Sequence, residues 1–496
     1  MSVSRYRKNT LSRFLRNGVA LAAGGVVAQV ALLFIEVMIA RNLGATVYGI
    51  FATTYAFTVL ATFIVDFGST WWTIQEGSRR PAELPSLLGN SLVLKTVTFV
   101  VLFFVVVIAI FAAPVPPDVR LFVAIFGLYA LGIATQDSLS AVYAARQDMH
   151  VNAVFQALSP VAILAVYLIV TANGLSLVDI AVAYVAGAAA VAVVWLIWTS
   201  RRMEIRGDIR SSIQLAFDSY HYGLTGILRQ IFYRTDVVMI AFIAGVAEAG
   251  LYAAAMKFLD LFYKVPVLVG RVVLPALFAG SHNQIAEKFE NLVSGYARML
   301  VSIGAGAALM TFLAAEKLVA LVFGSEYSSS VFVLQILSLA MALKCMMTVS
   351  EGVLSSLDRH MERWSSLGFA VILNVILNLF LIPHLGGVGA AIATIASGVA
   401  LVVLYVVRGF GRSRIVDAAT WFAIPLILAI VIGGVISTLG LSAPLAVAIA
   451  TALFLGLLFM TRIFRIGELM ELRDSILLNV DRQAFRSQDH NSPPTS

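Results

Sequence analysis

Lys257, Lys264 and Arg271 recur at intervals of seven in a stretch that is otherwise almost wholly apolar. On an α-helix, seven residues return to nearly the same face, with about 20° of drift. A rise of about 1.5 Å per residue then spaces the three cations about 10 Å apart. Asp260 falls on the same face. The preceding apolar stretch carries Arg229 and Arg234, with Asp236 seven residues after Arg229. Cations near the middle of a membrane span are costly and face a water-filled cavity, because snorkelling reaches water poorly from that depth. The ligand suited to such a cavity is an anion, a phosphate or pyrophosphate. Pairing within the set, Lys264 with Asp260 and Arg229 with Asp236, is the competing reading. Away from the outermost turns of their spans, the first half carries the acids Glu36, Asp66 and Asp137 and the base Lys95. Together with Asp260, these acids are candidates for holding a coupling proton or Na⁺. Against that stands simple hydration of Asp66 and Asp137 near the inner ends of their spans.

The elements that must position these residues follow from composition. Of 496 residues, 60% are hydrophobic and 12% charged, where a soluble protein has about 25% charged. Mean hydropathy is +0.93. Apolar runs long enough for a membrane helix, about 20 residues, lie near 18–40, 47–70, 87–113, 119–146, 152–171, 177–199, 213–243, 248–279, 292–314, 331–356, 363–383, 386–408, 417–439 and 441–463. The short run Leu318–Phe323 reads as an interfacial turn. The long first run, lacking a clear cleavage site, reads as an uncleaved span rather than a signal peptide. With the N-terminus in the cytoplasm, the inner segments hold 23 of the 34 lysines and arginines. The outer loops hold Arg41, Arg120 and Lys317, and 8 lie within spans. So strong a bias supports both the count and an orientation with both termini cytoplasmic in an inner, cytoplasmic membrane.

The expected fold is therefore an all-α polytopic membrane protein of about 14 transmembrane helices. A repeat refines it. Gly44–Ala52 and Gly245–Ala253 both read G-x4-G-aliphatic-aromatic-A, 201 residues apart. Six spans fit in that offset, which gives two parallel six-helix lobes plus two C-terminal helices. The expected divisions are a basic N-terminus (1–17), an N-lobe (18–200), a basic linker (201–212), a C-lobe (213–408), a final helix pair (409–463) and a cytoplasmic tail (464–496). In the tail, Gly467–Val480 is amphipathic and suited to the inner membrane surface. Pro160, Pro266, Pro275, Pro383 and Pro425 lie in spans or at their ends and bend them.

Several chemistries are not supported. A single cysteine and six scattered histidines supply no metal-ligand spacing. G-x-S-x-G and G-x4-G-K-[ST] are both absent, so neither a hydrolase nucleophile nor a nucleotide site is indicated. No cofactor, metal or catalytic role is expected. The net charge of +7 reads as loop topology and contact with anionic lipid headgroups rather than nucleic-acid binding.

Four stretches carry a resemblance: Ala40-Arg41-Asn42-Leu43-Gly44 with Tyr48-Gly49-Ile50-Phe51; Asp236 with Gly250-Leu251-Tyr252, Pro266 and Pro275; Phe323-Gly324-Ser325-Glu326-Tyr327; and Asn374, Asn378, Ile382-Pro383 with Gly386–Ala393. In this order the chain resembles the polysaccharide transporter family of the multidrug/oligosaccharidyl-lipid/polysaccharide exporter superfamily. The resemblance implies a flippase that moves a polyprenyl-pyrophosphate-linked oligosaccharide to the outer leaflet by alternating access, for cell-surface polysaccharide biosynthesis. It also implies a cationic cavity, a last helix pair that touches the lipid tail, and polysaccharide polymerase and other export machinery as partners. An ion-coupled multidrug antiporter of the same superfamily is the alternative. The five cations match no family motif one by one, so their assignment rests on spacing.

Overall fold

A computed structural model describes residues 2–461 apart from 114, 172, 173, 175, 283–285 and 411–414, and gives no account of side chains 2–23, of part of 271–288, or of 410, 415 and 418. The tail, with Gly467–Val480, lies outside the described residues. Every element among the described residues is helical, as expected where lipid offers the backbone no hydrogen-bond partner.

The helices are α1 (Ser2–Asp66), α2 (Ser69–Arg79), α3 (Leu84–Ala112), α4 (Pro117–Gly127), α5 (Tyr129–Ala145), α6 (Met149–Val170), α7 (Leu177–Ser200), α8 (Ile209–Ile243), α9 (Val246–Phe262), α10 (Lys264–His282), α11 (Ala286–Val322), α12 (Ser330–Ser356), α13 (His360–Phe410), α14 (Ile415–Ser437) and α15 (Ala443–Met460). Ten helical stretches are long and apolar enough to cross a membrane. Two of them are long enough for two crossings each and bend at a glycine, α1 at Gly44 and α13 at Gly386. Helices α8, α9 and α10, which carry the predicted cations, are not among the ten. The fourteen expected spans fit this arrangement. Leu318–Phe323, expected as an interfacial turn, is helical up to Val322, where α11 ends after running unbroken from 286, and only Phe323 lies in the turn beyond it.

By packing, the chain divides into two compact units, one formed by Arg13–Gly250 and the other beginning at Leu251. The division falls after α8, beyond the basic linker. The contacts of the linker explain this. Gly207 lies against Gly89 of α3, where a side chain on Gly89 would stand 2.1 Å from the Arg206 carbonyl oxygen. The Arg206 amide donates to the Pro85 carbonyl, and the Asp208 amide donates to Asn90 Oδ1. Further along α8, Ser219 Oγ donates to the Phe67 carbonyl, and Gly223 lies against the Phe67–Gly68 backbone. Helix α8 is thus tied to the first unit at two levels.

The repeat is visible in local structure. Gly44 and Gly245 both take positive φ, 75° and 102°, at the junction of two helices, a region that costs a residue with a Cβ. The aromatic residues that follow, Phe51 and Tyr252, are each fully buried. A second correspondence has no sequence signal. The turns after α5 and α12 each place a non-glycine residue, Gln147 or Asp358, at positive φ. In each, the next amide returns to a carbonyl five residues back, Asp148 to Tyr143 and Arg359 to Leu354. This is the same left-handed helix ending in both halves.

Candidate functional site

In the first unit, the acids occupy built surroundings. Asp66 ends α1 and is buried. Its carboxylate accepts from Lys95 Nζ at 2.8 Å, the Thr70 hydroxyl at 2.5 Å, the Ser69 hydroxyl at 3.2 Å, and the amides of Gly68 and Thr70 at 3.2 Å. Lys95, only 1% exposed, also donates to Thr70 Oγ1 and to the Ala134 carbonyl. A chain of hydroxyls, Ser69, Ser91 and Ser138, extends the network from α2 through α3 to α5. Asp137, one residue before Ser138, feels the charges of both Lys95 and Asp66. Simple hydration does not describe Asp66: its charge is met by a buried base, and the group holds four helices together. Two acids and one base leave this cluster with one negative charge when all three are ionised.

Glu36 is buried, 3% exposed, and accepts from the Tyr48 hydroxyl at 3.4 Å across the α1 bend. The neighbouring rings of Phe51, Tyr55, Phe126, Tyr129 and Tyr184 stack and tilt against one another at centroid distances of 5.2–6.5 Å. Asp66 with Lys95 and Asp137, and separately Glu36 with Tyr48, are the groups this unit assembles.

Of the five predicted cations, Arg229 and Arg234 lie on α8 in the first unit, both half-buried, with Asp236 buried at 2% exposure. Five residues rotate a helix by about 140°, so the two arginines leave α8 on different faces. The other three lie in the second unit. Here the structure corrects the single-helix ladder. Span eight is two helices, α9 and α10, interrupted at Tyr263. The cause is Pro266, which has no amide to donate to the Phe262 carbonyl and whose ring crowds it. Lys257 therefore sits on α9, while Lys264 and Arg271 sit on α10. Lys257 pairs with Asp260 at 4.0 Å, where the sequence had set Lys264 against Asp260. Lys264, at the head of α10, is exposed.

Three further groups join this picture. Lys344 of α12 lies over the ring of Tyr263 at 5.5 Å, beside the interruption. Arg298 of α11 lies over Trp421 of α14 at 5.7 Å. Such contacts hold a desolvated cation against the negative face of a ring. Arg298 sits in the apolar run 292–314 and was open to notice as a charge within a span; its aromatic partner, 123 residues on, was not. Finally, Asn378 Nδ2 donates to Asn374 Oδ1, and Asn374 Nδ2 donates to Ser397 Oγ, a fully buried polar chain within α13. Near it, the Tyr252 and Thr394 hydroxyls lie 3.4 Å apart.

The comparisons with known proteins agree with this frame. A probable low-salt glycan biosynthesis flippase of Haloferax volcanii is 26% identical over 184 residues, which are 36% of this chain and 39% of that protein. The chain thus spans about two fifths of that relative's length. The fold is similar to the lipid II flippase MurJ in its inward closed conformation, with a TM-score of 0.71 over 90% of this chain and 100% of that one, at 12% identity. It is also similar to an inward-facing multidrug resistance MATE family transporter of the MOP superfamily, with a TM-score of 0.67 over 81% of this chain and 99% of that one, again at 12% identity. The family model described as polysaccharide biosynthesis protein matches residues 14–281, more than half of the chain. With apolar helices, charged α8–α10 and a match of that extent, the chain belongs to the polysaccharide biosynthesis protein family.

Proposed function

We propose that this protein is a flippase that carries a polyprenyl-pyrophosphate-linked oligosaccharide from the cytoplasmic to the outer leaflet by alternating access, for cell-surface polysaccharide biosynthesis. The observation that carries the reading is the set of cations on α8–α10, with Lys264 exposed beside the proline-made interruption and Arg229 and Arg234 half-buried on α8. Fixed cations in a helical membrane frame suit a diphosphate, which presents several acceptor oxygens at once. The family and the glycan-flippase relative support the same substrate class.

The protein works without a catalytic step, in the inner membrane, with both termini in the cytoplasm. Its partners are the lipid-linked glycan, membrane lipids, and the polymerase and export machinery that act next. Coupling to an ion falls to Asp137 and Glu36, because Lys95 already meets the charge of Asp66. Asp260 is occupied in the same way by Lys257. The MATE-like fold and the buried acids of the first unit favour an ion-coupled small-molecule antiporter as the second reading.

The deciding experiment is a deletion strain. Accumulation of lipid-linked oligosaccharide on the cytoplasmic side, reversed by the intact gene, is the expected result. Normal glycan export in the deletion strain, with altered drug resistance instead, selects the antiporter.

A further inference from the structure

Three arginines meet where the end of α12 and the two ends of α13 come together, all within the unit that begins at Leu251. Arg359 Nη1 donates to the Arg408 carbonyl. Arg408 Nη1 donates to the Glu362 carbonyl and the Ser366 hydroxyl, each at 2.9 Å, and to the Ser365 hydroxyl. Arg363 Nη1 donates to the Ser355 hydroxyl at 2.9 Å. Every acceptor is neutral. A guanidinium offers donors on Nε and on both Nη atoms. Each of the three is held through one nitrogen, so its Nε and Nη2 reach no acceptor among the described residues. Nor is their charge met. Among the described residues Asp358 faces His360 at 3.8 Å and Glu362 makes no ion pair, so neither acid of this turn pairs with the arginines. Like charges gathered on neutral acceptors are satisfied together by an anion with several oxygens, above all a phosphate.

The surface beside the arginines is apolar. Ser365 heads an exposed face of α13 on which Phe369, Ile372 and Ile376 follow after four, seven and eleven residues, the spacing of one helical stripe. Val403 and Val407 are exposed on the returning half of α13. The Asn374–Ser397 and Arg408–Ser365 bonds set the two halves side by side. At about 1.5 Å per residue, Ser365 to Ile376 spans about 16 Å, which matches the hydrocarbon depth of one leaflet, about half of 30 Å.

We infer that Arg359, Arg363 and Arg408 form the headgroup site of one anionic glycerophospholipid in the leaflet that borders this end of α13. Its phosphodiester accepts from the Nε and Nη2 groups, and its chains lie along the Phe369–Ile376 stripe. A free phosphate would use the arginines and leave the stripe idle; the two together select an amphiphile. This is a seated lipid, distinct from the diffuse attraction of basic loops to a charged membrane surface. The site shares no residue with the α8–α10 cations and stands whatever the protein transports.

The test is native mass spectrometry of the full-length, detergent-purified chain titrated with phosphatidylglycerol. The first phosphatidylglycerol is expected to be retained over phosphatidylcholine of the same chains. Arg359→Gln/Arg363→Gln is expected to weaken first-lipid binding about 25-fold, about fivefold for each arginine. Arg359→Lys/Arg363→Lys keeps the charge and is expected to keep most of the binding. Arg201→Gln/Arg202→Gln removes two cations from the end of α7 and is expected to leave first-lipid binding unchanged. Equal retention of the two lipids by the intact protein overturns the site, and so does an equal loss in Arg201→Gln/Arg202→Gln, which makes the attraction a general one. Inorganic pyrophosphate at the lipid's concentration is expected to leave the lipid in place; displacement by it shows that the arginines bind phosphate alone and overturns the lipid. Ile372→Ser, on the exposed stripe, is expected to weaken binding, and unchanged binding there overturns the seating of the chains. If the glutamine pair does not fold, Arg359→Gln alone replaces it, an exposed residue whose one bond is to the Arg408 carbonyl. A fivefold loss is then expected, and unchanged binding by the folded single variant overturns the site.

Discussion

Lys95 reaches Asp66 at 2.8 Å from a helix 29 residues further along the chain, and the carboxylate it holds organises the Phe67–Gly68 bend. Phe67 has a φ of 44° and Gly68 of 85°, and a bulky residue in the left-handed region is a true outlier. The bend turns the Phe67 carbonyl toward Ser219 and brings Gly68 against Gly223 of α8. A buried ion pair thereby fixes where α8 docks.

Breaking that pair leaves an uncompensated charge in a buried site, at a cost of about 3–5 kcal/mol. Lys95→Met is expected to destabilise the detergent-purified protein by that order, read as a drop in melting temperature. Adding Asp66→Asn removes the orphan charge and is expected to restore most of the loss. If the pair only latches the bend, the double variant also keeps exporting glycan, and loss of ion dependence belongs to Asp137→Asn instead. A double variant that is stable and inactive makes Asp66 the coupling group.

The helical class, the membrane setting and the repeat were legible because each follows from local composition or spacing. The bend at Gly44 was readable from the repeated glycines alone. The Asp66–Lys95 pair was not, because its partners come from helices whose relative rotation no periodicity specifies. The interruption at Tyr263 was half legible: Pro266 foretold a bend, but a seven-residue period was read through it as though the helix were continuous. The aromatic partners of Lys344 and Arg298 are contacts across helices and left no trace in spacing.

Arg229→Ala and Lys264→Ala test the proposed anion-binding role of these two cations. Each is expected to abolish export while leaving the protein in the membrane, with lipid-linked oligosaccharide accumulating inside. Lys264→Arg keeps the charge and is expected to retain part of the export. Arginine matches a diphosphate with its fork of donors, where lysine offers a point charge. Unimpaired export by the Arg229→Ala/Lys264→Ala double variant removes these two cations from the path.

At the linker, Asp208 caps α8 by accepting from the Ser211 amide at 3.0 Å. Hydrogen bonding from the Ser211 side chain first, and from its amide second, holds the carboxyl below the usual range. A lowered folded-state value stabilises the cap above the ordinary carboxylate range, and the stabilisation is lost as pH falls through the lowered value. The protection of amides 209–213, taken relative to their intrinsic exchange at each pH, is therefore expected to fall in acid. Asp208→Ala is expected to show the lowered protection already at neutral pH, with no further acid-dependent loss.

Pro266 is the sharpest test of whether the interruption serves transport. It stands in the first turn of α10, where proline is tolerated, and four residues after Phe262, whose carbonyl it leaves without a helical donor. Replacing it by alanine returns that donor and allows α9 and α10 to run on as one helix through Tyr263. In a helix interior alanine is about 3 kcal/mol better than proline, so the ceiling of the stability gain is of that order. Pro266→Ala is expected to raise the melting temperature. It also moves Tyr263 out from under Lys344 and rotates Lys264 relative to Lys257, so export is expected to fall as stability rises. A more stable protein with full export makes the interruption a packing accident. A less stable one shows that neighbouring helices, rather than the proline, hold α9 and α10 apart.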